Sequence, residues 1–397
     1  MTRSRRYIRF QRGWRIARDN SLLMVTGAVL ALIWANRAPA SYARFTEPLH
    51  FVVNDVGMVF FFGLAVKEII EATAPGGALH SLRRGAVPVI AAVGGMVGPA
   101  LLFLAQALMF GRHDLMGGWA IPTATDIAFS YLVVRALFPP THPAIPFLLL
   151  LAIADDALGL IVLAAFYPAA PIRPALVVVV IAAACGFAWW LRRAQVNSFW
   201  PYVLGAGAVS WAGLFAGGFH PALALVPVLP FVPCARRDAG IFVDPAVEPD
   251  DALSRFDRWW SGPVEIVLFF FALTNAGVPF GSSGAATWIV LASLLVGKPI
   301  GITCSVWIAE RAGFHRAPEF TWPDVILVAV AAGVGFTVAL FFATAAFPAG
   351  RLQDQAKLGA LLSVSAGPIA FAIARLRKSE EPGGRRSGSR AEPRRRL

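Results

Sequence analysis

Apolar residues in this chain gather into long blocks that are separated by short polar stretches. A helix needs about 20 residues, at about 1.5 Å rise each, to cross a bilayer, and most of the blocks reach that length. The blocks predict twelve membrane-spanning helices, of which the first and the eighth are short. Their approximate bounds are 21–35, 50–70, 86–110, 117–137, 144–167, 171–191, 199–217, 219–233, 261–279, 285–309, 322–347 and 355–376. The pattern is therefore typical of an all-α polytopic membrane protein.

The composition agrees with a membrane protein and excludes several other classes. Of the 397 residues, 57% are hydrophobic and only 15% are charged, whereas soluble domains have about 25% charged residues. Three cysteines without a C-x-x-C pair exclude a disulfide framework, a cysteine zinc site and a redox pair. No phosphate-binding loop or dinucleotide fingerprint is present. We therefore expect a protein that is not an enzyme and that needs no cofactor.

The charged residues predict the orientation of the chain. The formal net charge is +12, and arginines cluster in a basic N-terminal segment, 1–20, and in a tail, 377–397, that is expected to be disordered. The predicted cytoplasmic loops contain eleven arginines and the predicted outer loops contain five. Because basic residues favour the cytoplasmic side, both termini are predicted to be cytoplasmic. The tails then contact anionic lipid rather than nucleic acid, and they flank one twelve-helix unit, 21–376.

Four charged residues lie well inside predicted spans: Asp126, Asp155, Asp156 and Lys298. Each charge at the centre of a bilayer costs about 2.5–3.5 kcal/mol on insertion scales, so such residues mark functional sites by default. One lysine among three aspartates predicts an ion pair together with carboxylates that face a water-filled cavity. Lys298, between Gly297 and Pro299, is too deep to reach the interface easily, and we expect it to pair with Asp155 or Asp156.

Asp155 and Asp156 are neighbours on one predicted helix, so their side chains point about 100° apart and both can line one cavity. Two close carboxylates resist ionising together, and their oxygens suit a small, hard cation. The pair therefore predicts a site where protons and an alkali cation compete. The alternative is a purely structural ion pair with Lys298, which leaves the second aspartate unexplained.

Two predicted spans contain residues that interrupt helices. In the fourth span, Pro122 precedes Thr125 and Asp126, and in the eleventh span Gly333 and Gly335 lie near the middle. Proline removes a backbone hydrogen bond, and a broken helix inside the membrane exposes polar backbone that Asp126 and Thr125 can serve. Interrupted spans in both halves of a chain are typical of inverted-repeat transporters, although glycines also permit simple close packing.

Several runs resemble the NhaA family of bacterial sodium/proton antiporters, which is itself a standard example of the inverted-repeat rule. The resemblance is collinear from about residue 20 to 376. It is carried by NDVGMVFFFGLAVKE (54–68), SLRRGAVPVIAAVGGMVGPALL (81–102), GWAIPTATDIAFS, ADDALGLIVLAAFY, FALTNAGV (271–278), VGKPIGI, GVGFT (333–337) and AKLGALL (356–362).

The resemblance implies twelve helices with an inverted repeat, in which the broken fourth and eleventh helices cross at mid-membrane. It implies that Asp155 and Asp156 bind transported sodium or lithium in exchange for protons and that Thr125 helps to coordinate the cation. Asp126 would balance the broken helix ends, and Lys298 would pair with Asp155. Transport would be electrogenic, would occur in the bacterial inner membrane and would contribute to pH and sodium homeostasis.

The chain departs from the family pattern at positions associated with pH regulation. The family motif Leu-Glu-Val-Lys-Arg-Glu-Leu reads Leu-Ala-Val-Lys-Glu-Ile-Ile at 64–70, so Ala65 and Ile69 replace two acids. Asp257 is expected to retain part of the regulatory region, and His220 matches a histidine that is linked to the pH response. The short first external loop lacks room for the β-hairpin that helps other members to dimerise, which disfavours a homodimer.

Two other functions fit parts of the pattern. A sodium-coupled symporter for an organic anion would use a related broken-helix fold, but its sodium sites are rich in neutral oxygens. An intramembrane aspartyl protease also uses two buried aspartates, on separate helices and with a Gly-x-Gly-Asp element that this chain does not have at Asp126 or Asp155. Sodium/proton antiport therefore accounts best for the intramembrane charges.

Overall fold

The protein is described here from a computed structural model, which covers residues 22–79, 82–234 and 251–380. Every regular element in these ranges is helical. The α-helices are α1 (Leu22–Arg37), α2 (Pro39–Phe51), α3 (Met58–Thr73), α4 (Leu82–Met109), α5 (Ile127–Leu137), α6 (Ala144–Phe166), α7 (Pro174–Arg193), α8 (Ala208–Gly217), α9 (Ala252–Asn275), α10 (Ala285–Ala292), α11 (Lys298–Arg311), α12 (Trp322–Ala331), α13 (Phe336–Ala346), α14 (Arg351–Leu362) and α15 (Ala366–Glu380). The predicted segment 1–20 and all but the start of the predicted tail 377–397 lie outside the described residues.

The described helices identify a multi-pass membrane protein. Six helical stretches are long and apolar enough to cross a membrane, and a seventh span results if α12 and α13 count as one bent span. The six are Pro39–Thr73, Gly85–Met109, Ala144–Phe166, Pro174–Arg193, Ala285–Arg311 and Arg351–Arg377. Exposed apolar side chains such as Leu101 and Val178 lie on these stretches, as expected for surfaces that contact lipid.

The predicted eighth span, 219–233, is not a continuous helix, and that prediction is wrong. The stretch forms two short 3₁₀ turns, Pro221–Leu223 and Leu229–Phe231. Four prolines lie in it, and each one removes an N–H donor and clashes with the preceding helical turn. Its apolar residues nevertheless pack inside the protein, since Leu225, Val228 and Leu229 are fully buried.

The segment between the first two predicted spans is helical rather than a loop. Helix α2 (Pro39–Phe51) begins with proline in its first turn, a position that suits proline because the N–H there has no intrahelical partner. A π-helical turn, Val52–Gly57, joins α2 to α3. The Tyr42 hydroxyl donates to the carbonyl of Leu273 at 2.8 Å, which ties this outer helix to the end of α9.

Helix packing sets the positions of the central helix α6 (Ala144–Phe166) and of Lys298. Helix α6 packs against α3, α4, α5 and α12. Helices α4 and α11 cross at glycines, and a Cβ atom at Gly98 would lie only 2.5 Å from the carbonyl oxygen of Gly297. Small residues allow such close helix crossings in membranes. This crossing holds Lys298, the first residue of α11, near the middle of the bundle.

Two of the helices begin after an interruption of the backbone. A 3₁₀ turn, Ile121–Thr123, is followed by three extended residues before α5 begins at Ile127. Helix α12 ends at Ala331, α13 begins at Phe336, and their axes differ by 51°. Both interruptions coincide with the residues that the sequence marks as helix breakers.

Candidate functional site

The two interruptions meet each other inside the protein. The backbone N–H of Asp126 donates to the carbonyl of Val334 at 2.7 Å, and the Ser130 hydroxyl donates to the carbonyl of Ala331 at 2.9 Å. Backbone groups that each broken helix leaves unpaired are therefore satisfied by the other segment, as membrane depth requires. Glycine is needed for this approach, because a Cβ at Gly335 would lie 2.8 Å from the Leu294 side chain and 3.2 Å from the Ala124 carbonyl oxygen.

The carboxylate of Asp126 accepts hydrogen bonds at the N-termini of both α5 and α13. One oxygen accepts from the backbone N–H of Phe129 at 3.2 Å, and the other accepts from the N–H of Thr337 at 3.1 Å and from the Thr337 hydroxyl. Helix N-termini carry a partial positive charge and unpaired N–H donors, so one buried carboxylate stabilises both. The Asp126 carboxylate therefore joins the starts of the two helices that follow the interruptions.

Lys298 is fully buried and bonds to two elements at once. Its ammonium lies 3.0 Å from Oδ2 of Asp155, and it also donates to the carbonyl of Thr123 at the end of the turn that contains Pro122. The predicted pairing of this lysine is therefore present, with Asp155 as the partner. A positive charge at the carbonyl end of a helical turn is electrostatically favourable. The interruption between Thr123 and Ile127 therefore has the Lys298 ammonium at its first end and the Asp126 carboxylate at its second.

Two buried oxygen atoms near this pair have acceptor capacity that the protein does not use. Within the described part of the chain, Oδ1 of Asp155 and the hydroxyl oxygen of Thr125 have no hydrogen-bond partner, and both residues are at most 2% exposed. A buried polar atom without a partner costs about 1–3 kcal/mol, so such atoms are rare in structural roles. Both atoms are suitable oxygen ligands for a cation.

Asp156 faces a cavity of about 310 Å³ that Thr125 and Asp126 also line. At its far end the cavity is lined by Ala65, the exposed Glu68 and Asp257, near the end of α3 and the start of α9. A second cavity beside both aspartates has a volume of only about 10 Å³ and is otherwise lined by apolar residues. That volume suffices for about one water molecule. Those apolar residues include Phe61, Phe62, Leu160, Leu163 and Phe342. Asp156 thus lines both the wide cavity and the small one, whereas Asp155 lines only the small one.

The two residues expected to act in pH regulation have different surroundings. Asp257 lines the large cavity, accepts a hydrogen bond from Ser261 and forms an ion pair with Lys67 at 3.0 Å. His220 packs against the Phe341 ring and accepts from the N–H of Ala222, two residues further along the chain. It does not line the large cavity, so the structure does not bring His220 together with the aspartates.

Some residues of the site are absent from the predicted set. Thr337 and Ser130 bind the opposite interrupted segment through their hydroxyls, which no local pattern reveals. Glu265 lies within α9 and lines the large cavity with Asp156. Its signal in the sequence is weak, because it is only the fifth residue of the predicted span 261–279, whereas Asp126 and Asp155 lie well inside theirs.

The fold and the site together define an intramembrane ion-handling protein: a helical membrane protein with a buried lysine–aspartate pair and a further carboxylate at two interrupted helices. Residues 12–374 match the family described as Na⁺/H⁺ antiporter 1. The chain is 44% identical over 368 residues to Na(+)/H(+) antiporter NhaA 1 of Pelobacter propionicus, covering 90% of this chain and 96% of that protein. It is 42% identical over 369 residues to Na(+)/H(+) antiporter NhaA of Geobacter sulfurreducens, covering 91% and 96%. The same name and identity apply to a protein of a Jannaschia species over 412 residues, covering 92% and 98%. The chain belongs to this Na⁺/H⁺ antiporter family.

Proposed function

We propose that this protein exchanges sodium or lithium ions for protons across the bacterial inner membrane. One observation carries the proposal: Asp156 faces a cavity directly beside Asp155, whose charge is balanced by Lys298. A structural ion pair needs one aspartate and one lysine. The second carboxylate lies next to a cavity with room for several waters, so it is then available for ions that enter from solution.

The exchange follows from competition for the same oxygens. When Asp156 holds a proton, its carboxyl group is neutral and attracts a cation weakly. When the proton leaves, the carboxylate binds sodium with help from Thr125 Oγ1 and Asp155 Oδ1, two buried oxygens with no other partner in the described residues. Because proton and cation exclude each other at Asp156, moving one requires releasing the other.

The proposed architecture is a twelve-span inverted repeat, residues 21–376, whose broken fourth and eleventh helices cross at mid-membrane. Its eighth span, 219–233, contains short 3₁₀ turns in place of one continuous helix. The hydrogen bonds between Asp126, Val334 and Thr337 support this arrangement, because they join the two interrupted segments. The wide cavity lies near the end of α3 and the start of α9. The chain next to each of these two helix ends contains arginines that are predicted to be cytoplasmic. Alternating exposure of Asp156 to this cavity and to the outer side would complete transport.

Several finer assignments belong to the same proposal. Asp126 and Lys298 compensate the ends of the broken segments, and Pro122, Gly333 and Gly335 make the breaks. Two carboxylates beside one lysine favour exchange of more than one proton per sodium, hence electrogenic transport that removes sodium and serves pH homeostasis without a cofactor. Both termini would be cytoplasmic. Asp257 would modulate the pH response, and so would His220, with less structural support. A homodimer is disfavoured by the short first outer segment, which stays a prediction.

The proposal is tested by sodium-induced collapse of a pH gradient in everted membrane vesicles, scanned from acid to alkaline pH. The wild type should respond to sodium more strongly as pH rises, because protons then compete less. Asp156→Asn should give no response while the protein remains inserted and folded. Asp114→Asn is the matched control, since that carboxylate is exposed on a 3₁₀ turn beside Arg112. A normal response in Asp156→Asn would overturn the site assignment, and a wild type without any response would overturn the proposed function.

A further inference from the structure

Glu265 is a carboxylate within α9 that neither the ion pair nor the helix breaks account for. It lies 13 residues after the start of α9 and 10 residues before its end, which places it about 20 Å and about 15 Å along the helix from those ends. Within the predicted span 261–279 it is the fifth residue, and an ionisable residue in a membrane span marks a functional site by default. The groups around the Glu265 carboxylate therefore indicate its role.

The pathway beside Glu265 is the large cavity that also contains Asp156. Glu265 lines this cavity together with Thr125, Asp126 and Asp156. The volume of about 310 Å³ has room for several water molecules. Water can therefore connect the glutamate carboxylate to the aspartate carboxylate, and a proton can move along such a connection without a direct contact between the two residues.

The other charged groups that face this cavity are all carboxylates. Helix α3 contributes Glu68, the start of α5 contributes Asp126, α6 contributes Asp156, and α9 itself contributes Asp257 besides Glu265. The residues that α1 and α13 contribute are uncharged, namely Met24, Thr337 and Val338. Lys67 lies beside the cavity, where its ammonium is engaged by Glu71 and Asp257. The carboxylates of the described cavity wall can thus bind protons or cations.

Glu265 also lies opposite a position where a carboxylate is missing. Ala65 lines the same cavity from α3, which packs against α9. The family motif has an acid at position 65, so this chain has a methyl group there instead. Glu265 supplies a carboxylate to the same space from the facing helix.

We propose that Glu265 is a proton-carrying residue of the exchange pathway. A proton leaves the carboxyl group of Asp156, passes through cavity water to the carboxylate of Glu265 and then leaves Glu265 for solution. Asp156 becomes the carboxylate that binds sodium, and Glu265 returns to its starting state, so no other reactant is needed. This inference rests on the proposed antiport. Because the sodium response of the wild type is measured first, a failure of this inference can be distinguished from a failure of the proposed antiport.

The test compares Glu265→Gln and Glu265→Ala with the wild type in everted vesicles. Both variants should lower the maximal sodium response several-fold, because the relay is lost. They should also change the pH profile of the response, because a proton then leaves Asp156 without the relay. The KM for sodium should stay within about two-fold, since Glu265 does not ligate the ion.

Three further variants separate proton transfer from a structural role. Glu265→Asp keeps a carboxylate and should keep the wild-type pH profile. Adding Ala65→Glu to Glu265→Gln restores a carboxylate to the cavity from α3 and should restore the profile. Glu319→Gln removes an exposed glutamate outside the cavity and should change nothing.

The proposal is overturned if an inserted Glu265→Gln or Glu265→Ala protein has the same pH profile and the same maximal response as Glu319→Gln. If only one of the two substitutions inserts, that variant decides. If the wild type responds to sodium and these profiles coincide, antiport stands and the role of Glu265 fails. If the wild type does not respond, the proposed function itself fails.

Discussion

The ammonium of Lys298 lies 3.0 Å from a carboxylate oxygen of Asp155, and both side chains are at most 1% exposed. This pair leaves the adjacent Asp156 facing the cavity. The division of labour between the two aspartates therefore follows from the rotation of α6: one carboxylate is held by the lysine, and the other meets the solution.

Replacing Lys298 by methionine should destabilise the protein strongly. The substitution retains an apolar side chain of similar length but leaves Asp155 buried without its cation, and removing one partner of a buried ion pair typically costs about 3–5 kcal/mol. Thermal unfolding in detergent should show a clearly lower midpoint. Adding Asp155→Asn to Lys298→Met should recover most of that loss, because no uncompensated charge then remains. A single variant as stable as the wild type would show that the pair does not hold the bundle together.

Replacing Thr125 by valine should weaken sodium binding without weakening the fold. Valine has nearly the same shape, and the hydroxyl oxygen that it removes has no hydrogen-bond partner within the described ranges. Loss of one neutral ligand worth about 1.4 kcal/mol raises the KM for sodium about ten-fold. Thr125→Ser retains the hydroxyl and serves as the control. Equal KM values for the valine variant and the wild type would remove Thr125 from the cation site.

Replacing Asp126 by alanine should cost more stability than replacing it by asparagine. Alanine leaves the N–H groups of Phe129 and Thr337 without their acceptor, and each lost helix cap costs about 0.5–2 kcal/mol. Asparagine caps helices about as well as aspartate, so it retains much of the stabilisation. Thermal midpoints of the two purified variants compare the effects directly. Equal midpoints would contradict a capping role for Asp126.

Replacing Gly98 by alanine should separate α4 from α11. The added Cβ would lie 2.5 Å from the Gly297 carbonyl oxygen and 2.7 Å from the Gly301 Cα atom, and backbone at these distances must move. We expect a lower thermal midpoint and a lower sodium response, because the shift displaces Lys298. Gly186→Ala is the control, since its Cβ would meet nothing within 4 Å. If both variants behave alike, the crossing does not position the lysine.

The chemistry of the site could be predicted from the sequence because charges are conspicuous in apolar spans. Asp126, Asp155, Asp156 and Lys298 each break a long hydrophobic run, and their cost in hydrocarbon requires partners or water. The residues alone leave open which aspartate pairs with Lys298, since that choice depends on the rotation of α6 and on the α4–α11 crossing; only the family resemblance indicates Asp155.

Other features follow from contacts that hydrophobicity does not encode. The stretch 219–233 is apolar enough for a span, yet its prolines prevent a continuous helix. The link from Asp126 to Val334 joins residues far apart in the chain, so it depends on the packing of both broken segments. Glu265 was visible in the sequence, but only the shared cavity connects it with Asp156.

The proposed exchange requires sodium to displace protons from Asp156. Calorimetric titration of the purified protein with sodium, in buffers of different ionisation enthalpy, measures the protons released per sodium bound. The wild type should release protons on binding sodium, with weaker binding at lower pH, and Asp156→Asn should show neither binding nor proton release. Sodium binding by the wild type without proton release, or undiminished proton release by Asp156→Asn, would contradict the claim.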